Sequence, residues 1–309
     1  MNSELMKQEI LQLKKEKNAV ILGHYYIDGE LQDIADFVGD SLQLAQQAAK
    51  TNADIIVFLG VYFMAETAKI LSPYKKVLIP DLKAGCSLAD SCEPNKLKEL
   101  KEKYPDHIVV SYVNTTAEIK ALTDIVVTSS NAVKIIESIP ESQKIIFTPD
   151  RNLGNYLNML TGRDMVVYDG ACHVHEQFSL EKLIELKEKH PDAKVLAHPE
   201  CELPVRMLAD FIGSTSSILN FSKNKEFNSF IVATESGILH QMQKARPDAE
   251  FIPLPGNDST CACNECNFMK LNTVEKLYNS LKNEEFEVNV DKEIADKARG
   301  SIVKMLELS

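Results

Sequence analysis

Two stretches of this chain match each other at a fixed spacing, and that match restricts the architecture more than any other feature. KLKELKEKYPDHIVVSYVN, from Lys96, and KLIELKEKHPDAKVLAHPE, from Lys182, lie 86 residues apart. Both contain a charged amphipathic helix, a Pro-Asp stop, an apolar strand and a polar strand end. EILQLKKEKNAVILGHYY near the N-terminus is a looser third copy. The register continues downstream, where Asp36-Phe37-Val38-Gly39-Asp40-Ser41, Asp124-Ile125-Val126-Val127-Thr128-Ser129 and Asp210-Phe211-Ile212-Gly213-Ser214-Thr215 align at offsets of 88 and 86. Each copy then runs through an apolar strand, a helix and a last strand to a cysteine: Cys86, Cys172 and, after a longer loop, Cys266.

Strands alternating with helices at this spacing predict an α/β protein of three pseudo-threefold-related α/β/α sandwich repeats with short parallel sheets. The expected repeats cover residues 1–86, 87–172 and 173–266. Residues 267–309 form a C-terminal helical segment that packs back on the body, with an Asn272-x-x-Glu275 cap before its first helix and a second helix from about Asp291.

The N-terminus has no apolar leader and no apolar run reaches spanning length, so a cytosolic protein is expected, with no membrane partner. A net charge of −11 argues against nucleic acid and anionic membranes, which need a basic face, and leaves small anionic substrates open. In a reducing compartment, seven cysteines point to metal binding or catalysis more than to disulfides.

If the repeats surround one axis, Cys86, Cys172 and Cys266 converge. Three thiolates leave one coordination position free, as in an iron–sulfur cluster with one unique iron or an open zinc site. The loop Cys261-Ala-Cys263-Asn-Glu-Cys266 is also compatible with zinc or a Cys263–Cys266 disulfide; Cys266 is assigned to the metal, and Cys261 and Cys263 are left open. Cys92 and Cys201 are expected to be buried small residues.

The first strand of each copy ends in side chains that bind carboxylates or move protons: His24-Tyr25-Tyr26, Tyr112-Val113-Asn114 and His198-Pro199-Glu200. Ser41, Thr128-Ser129-Ser130 and Gly213-Ser214-Thr215-Ser216 lie where a strand is expected to pass into a helix, and there hydroxyls and free N–H groups make an anion site without lysine. His173 and His175 flank Cys172 as donors to the metal's ligands or to substrate, whereas His107, His190 and His240 are expected to be structural. Asp150-Arg151-Asn152-Leu153-Gly154 reads as a turn with an internal ion pair.

With HYY, GDSLQLA, YVN, TSSNAV, PDRNLG, HPEC and GSTSS in this order around the cysteines, nearly the whole chain resembles the quinolinate synthase family. The resemblance implies condensation of iminoaspartate (iminosuccinate) with dihydroxyacetone phosphate to quinolinate, phosphate and water in de novo NAD biosynthesis. It implies that Cys86, Cys172 and Cys266 hold a [4Fe-4S] cluster whose open iron is a Lewis acid. It makes His24, Ser41, Tyr112, Val113, Asn114, Ser129, His198, Pro199, Glu200 and Thr215 substrate-binding positions. Tyr26 and Glu200 become proton-transfer residues assisted by His24 and His198, and the upstream L-aspartate-oxidising enzyme is the expected protein partner. Because some members keep only the last cysteine of the CxCxxC loop, Cys261 and Cys263 are dispensable for the cluster in this view, and a Cys263–Cys266 disulfide would compete with it. The competing expectations are a zinc-dependent hydrolase, which would be colourless, and a redox sensor or electron carrier, which would cycle without turnover.

Overall fold

The computed structural model describes residues 3–257 and 265–309, so Cys261 and Cys263 lie outside the described residues. Three four-stranded sheets carry the chain. The first contains β1 (Ala19–His24), β2 (Phe37–Gly39), β3 (Ile55–Leu59) and β4 (Lys76–Leu78), in the order β2-β1-β3-β4. The second contains β5 (His107–Tyr112), β6 (Ile125–Val127), β7 (Lys144–Thr148) and β8 (Val166–Val167), and the third β9 (Lys194–Ala197), β10 (Phe211–Ile212), β11 (Ser229–Ala233) and β12 (Glu250–Pro253). Both repeat the order of the first, and every pairing within the three sheets is parallel.

Helices cover both faces of each sheet, which is why the central strands are unbroken apolar runs such as Ile55–Leu59. In the third sheet Val195, Ala197, Ile231 and Ala233 fill one core, and Leu196, Phe230 and Val232 fill the core on the opposite face. The aspartates that align between copies have one shared purpose. Asp36, Asp124 and Asp210 each accept a first-strand backbone N–H, from Ile21, Val109 and Val195, at 2.8 Å. The backbone N–H of each aspartate bonds back to the carbonyl of the same strand residue at 2.9 Å. One carboxylate therefore closes the same two-way link in every copy.

The C-terminal segment returns to the first two sheets. Helix Lys292–Leu308, capped by Asp291, lies against helix Ala117–Ala121 and β6, and helix Val274–Asn283 lies against the N-terminal helix Ser3–Glu16. Between them Val288 donates to the Val77 carbonyl and Phe286 accepts from Ile79, covering the open edge at β4. The cap of the first helix differs from expectation. Thr273 accepts the Lys276 N–H, while Asn272 is buried and donates to the carbonyls of Gly60 and Met269. No helix among the described residues is long and apolar enough to cross a membrane.

Replacing Asp36, Asp124 or Asp210 by Ala leaves a strand N–H without its partner and is expected to lower unfolding free energy by about 1–3 kcal/mol in each case. Urea titration of the three variants checks this, and wild-type stability in all of them would refute the shared role.

Candidate active site

The carboxyl ends of β1, β5 and β9 open onto one cavity of about 710 Å³, its mouth included. Each polar triplet turns out of the end of its strand, and its first and third members face the same way. His24 and Tyr26, Tyr112 and Asn114, and His198 and Glu200 accordingly line the wall. The middle residues point away: Tyr25 packs into the core of the third sheet, Val113 is buried with its N–H on the Val127 carbonyl, and Pro199 is buried. Val113 and Pro199 are thus not among the lining residues.

A second tier of hydroxyls surrounds these six: Ser41, Thr128, Ser129, Ser130 and Thr215. Ser41 and Thr215 open helices Ser41–Lys50 and Thr215–Ser222, capped by Asp40 and Ser214. In the second copy the helix begins later, at Ala132, because the Asn131 side chain accepts the Thr128 N–H at 2.7 Å and holds a turn. Among the described residues no lysine or arginine lines the cavity. Anions must be met by hydroxyls, backbone N–H groups or a bound cation.

The three cysteines complete the wall. Cys86 and Cys172 precede the short helices Ser87–Ser91 and His173–Glu176, and Cys266 precedes the turn Met269–Leu271. Backbone N–H groups of the turn that follows each cysteine favour its thiolate: Ala89 and Leu88 for Cys86, His175 for Cys172, Met269 and Phe268 for Cys266. Burial nevertheless pushes the Cys86 thiol up to about 12 and raises Cys172 and Cys266 as well. Three buried thiols become thiolates only beside a cation, the environment that a metal supplies.

Cys172, His175 and Glu200 could hold a single ion, their ligand atoms lying within 4.8 Å of one another. Among the described residues this is the one such group, so the three cysteine sulfurs are not all that close together. A lone tetrahedral ion at about 2.3 Å from each sulfur would draw them closer than that.

A string of hydrogen bonds crosses the cavity between repeats. The Tyr26 hydroxyl bonds to Thr215 Oγ1 at 2.8 Å and to Thr234 Oγ1 at 2.7 Å. Thr234 Oγ1 meets His175 Nε2 at 2.9 Å, and His175 Nδ1 lies 2.8 Å from Glu200 Oε2 and 3.3 Å from Cys172 Sγ. His198 Nδ1 is 3.3 Å from the same Glu200 oxygen, its ring stacks on His175 at 4.5 Å, and its Nε2 reaches Ser129 at 3.3 Å. Glu200 Oε1 and Asn114 Oδ1 have no partner among the described residues, which leaves two acceptors for the donors of a bound molecule.

Burial sets the protonation states. It lowers His24 to about 4, and burial together with the neighbouring His175 lowers His198, so both imidazoles are neutral near pH 7. Burial raises Tyr26 and Tyr112 well above the ordinary phenol range, making them donors. For Glu200 burial favours the neutral acid, but His175 and His198 outweigh it and hold the carboxyl below the usual range.

Several participants were not expected from the sequence. Thr234 and Glu235 directly follow β11, Ser87 holds His173 Nδ1 at 2.7 Å, and Asp40 accepts from Ser130 at 2.6 Å. The expected ion pair within Asp150–Gly154 is not formed. Asp150 caps helix Arg151–Thr161, whereas Arg151 pairs with Asp169 and Glu176. Cys92 and Cys201 are buried on Thr148 Oγ1 and the Ala233 carbonyl. His107 begins β5, His190 ends a helix and His240 pairs with Asp33.

Comparison with known proteins places the cavity in context. The family model described as quinolinate synthetase A protein matches residues 8–307. The quinolinate synthase of Synechococcus sp. is 58% identical over 300 residues, which cover 97% of this chain and 94% of the relative. That of Microcystis aeruginosa is 58% identical with the same coverage, and that of Chloroherpeton thalassium is 57% identical over 302 residues, 98% of this chain and 94% of the relative.

Because His24 titrates near 4 in the folded chain and near 6.5 when unfolded, the unfolded state takes up the proton first as pH falls. Stability is expected to be full above pH 6.5 and to drop by up to roughly 3 kcal/mol towards pH 4, a drop removed in His24→Asn. Urea unfolding across that range tests it, and identical slopes in both proteins would contradict it.

Proposed function

The chain belongs to the quinolinate synthetase A family of NAD-biosynthetic enzymes, and from that premise we propose that it condenses iminoaspartate with dihydroxyacetone phosphate to quinolinate, phosphate and water. The observation that carries the proposal is the string Tyr26–Thr234–His175–Glu200, set beside three cysteines in a wall without lysine or arginine. Condensation followed by dehydration must remove protons from carbon and deliver them to departing hydroxyls, which requires an acid and a base held apart in one site.

Glu200, kept ionised by its imidazole partners, is the base, and His198 holds its Oε2. The Tyr26 phenol, protonated through burial, is the acid and is reprotonated along Thr234 and His175. His24 packs edge-on to Tyr26 with ring centroids 4.5 Å apart, and its Nδ1 accepts the Tyr26 backbone N–H, which orients the ring. Ser41, Ser129 and Thr215 donate to substrate carboxylates and phosphate from the three strand-to-helix junctions, and Tyr112 and Asn114 complete the floor. Cys86, Cys172 and Cys266 would hold a [4Fe-4S] cluster, which would supply a Lewis acid for substrate oxygens. The reactive imine must come from an enzyme that oxidises L-aspartate, the proposed upstream partner, and the proposed setting is the cytosol.

A second reading is a zinc enzyme using Cys172, His175 and Glu200, which lie close enough to share one ion. It leaves the equivalent Cys86 and Cys266 without a task.

The test is quinolinate formation from the two substrates by anaerobically reconstituted protein. Glu200→Gln and Tyr26→Phe are expected to lose about 10²–10⁴-fold in rate with iron content unchanged. Cys86→Ala, Cys172→Ala and Cys266→Ala are expected to lose iron, sulfide and activity together. Zinc without sulfide, or full activity in the cysteine variants, would overturn the assignment.

A further inference from the structure

The strand registers align three positions that the reaction does not use. Leu59, Thr148 and Ala233 are the central-strand residues paired with Gly23, Ser111 and Ala197, so Val61, Asp150 and Glu235 are equivalent, each two residues beyond its strand. Val61 is apolar and 3% exposed, while the carboxylates of Asp150 and Glu235 are fully buried. A carboxylate is retained in such a place only when its oxygens are matched by donors.

The matching is alike in both. Asp150 Oδ1 accepts the Leu153 N–H at 2.7 Å, capping the next helix, and Oδ2 accepts the Cys172 N–H at 3.2 Å. Glu235 Oε2 accepts the Gly237 N–H at 2.7 Å at the entry to the next helix. Its Oε1 accepts the Cys266 N–H at 3.3 Å and pairs with Lys270 Nζ at 3.3 Å. One oxygen is therefore tied to the scaffold and the other to a cysteine. The first two loops also share a backbone strap two residues before the cysteine, Tyr62 N–H to Ala84 O and Arg151 N–H to Gly170 O, both at 2.7 Å. The carboxylate is what distinguishes the Cys172 loop from the Cys86 loop.

We propose that Asp150 and Glu235 are positioning residues that fasten the Cys172 and Cys266 loops to the ends of β7 and β11, whereas the Cys86 loop has no such fastening. The inference rests on the reading of these cysteines as metal ligands, and it assigns the two carboxylates to the ligand loops, not to substrate. Isosteric amides separate this role from helix capping. In Asp150→Asn and Glu235→Gln one oxygen still serves the scaffold, while an NH₂ group now opposes the cysteine N–H.

The experiment follows alkylation of each cysteine by iodoacetamide, mapped by mass spectrometry, in metal-free protein, alongside iron release to a chelator from reconstituted protein. Loss of the buried hydrogen bond is expected to speed labelling of Cys172 about tenfold in Asp150→Asn and of Cys266 about tenfold in Glu235→Gln. Cys86 should label at the wild-type rate in both, and iron release should quicken in both. Unchanged rates, or equal acceleration at all three cysteines, would overturn the proposal. If the wild type takes up no iron and sulfide, the ligand reading fails, and the labelling pattern alone still decides whether the carboxylates fasten the loops.

Discussion

The ionised Glu200 carboxylate, 2% exposed in a wall without lysine or arginine, is the constraint on which the rest of this structure depends. An unpaired charge at such a depth costs several kcal/mol. Its partners are His198, from the same strand end, and His175, from the helix that follows Cys172, and His198 in turn reaches Ser129 of the second repeat. His175 passes its other nitrogen to Thr234, and Thr234 meets Tyr26 of the first repeat. The cavity is therefore complete only when all three repeats are docked. Ser130 on Asp40 and Ser216 on Gln43 reinforce the same boundaries. The hydrogen bonds that join the groups lining the cavity also hold the repeats together.

The same constraint explains how the site treats charge. With no lysine or arginine in the wall among the described residues, fixed positive charge does not compete for Glu200, and the neutral His24 and His198 and the protonated Tyr26 and Tyr112 stand near it. In the proposed function an anionic substrate is received by N–H and hydroxyl dipoles, which cost little to reorganise. The proposed cluster would bring the remaining positive charge, and burial of the three thiols disfavours free thiolates.

Much of this was legible in the sequence because a repeat carries its own control. Asp36, Asp124 and Asp210 align for a reason now visible, the same bond to the same strand position. The polar triplets were recognisable as strand ends, although the bends that send Val113 and Pro199 away from the cavity are set by tertiary contacts, such as the Val113 N–H on the Val127 carbonyl. Comparison of copies fails where copies differ. Thr234 corresponds to Gly60 and Pro149, neither with a hydroxyl, so nothing singled it out. Glu235 corresponds to Val61, and Asp150 was hidden by an adjacent arginine that imitates a local ion pair but extends to Asp169 and Glu176. Asn272 and Thr273 are both good caps, and only tertiary burial of the first decides between them.

The central claim, that three repeats deliver three cysteines to one metal group, is tested most directly by diffraction from crystals grown anaerobically, with an anomalous map recorded at the iron edge. The account predicts one multi-iron peak in the cavity, bonded by Cys86, Cys172 and Cys266. A single ion on Cys172, His175 and Glu200, with Cys86 and Cys266 unbound, would contradict it.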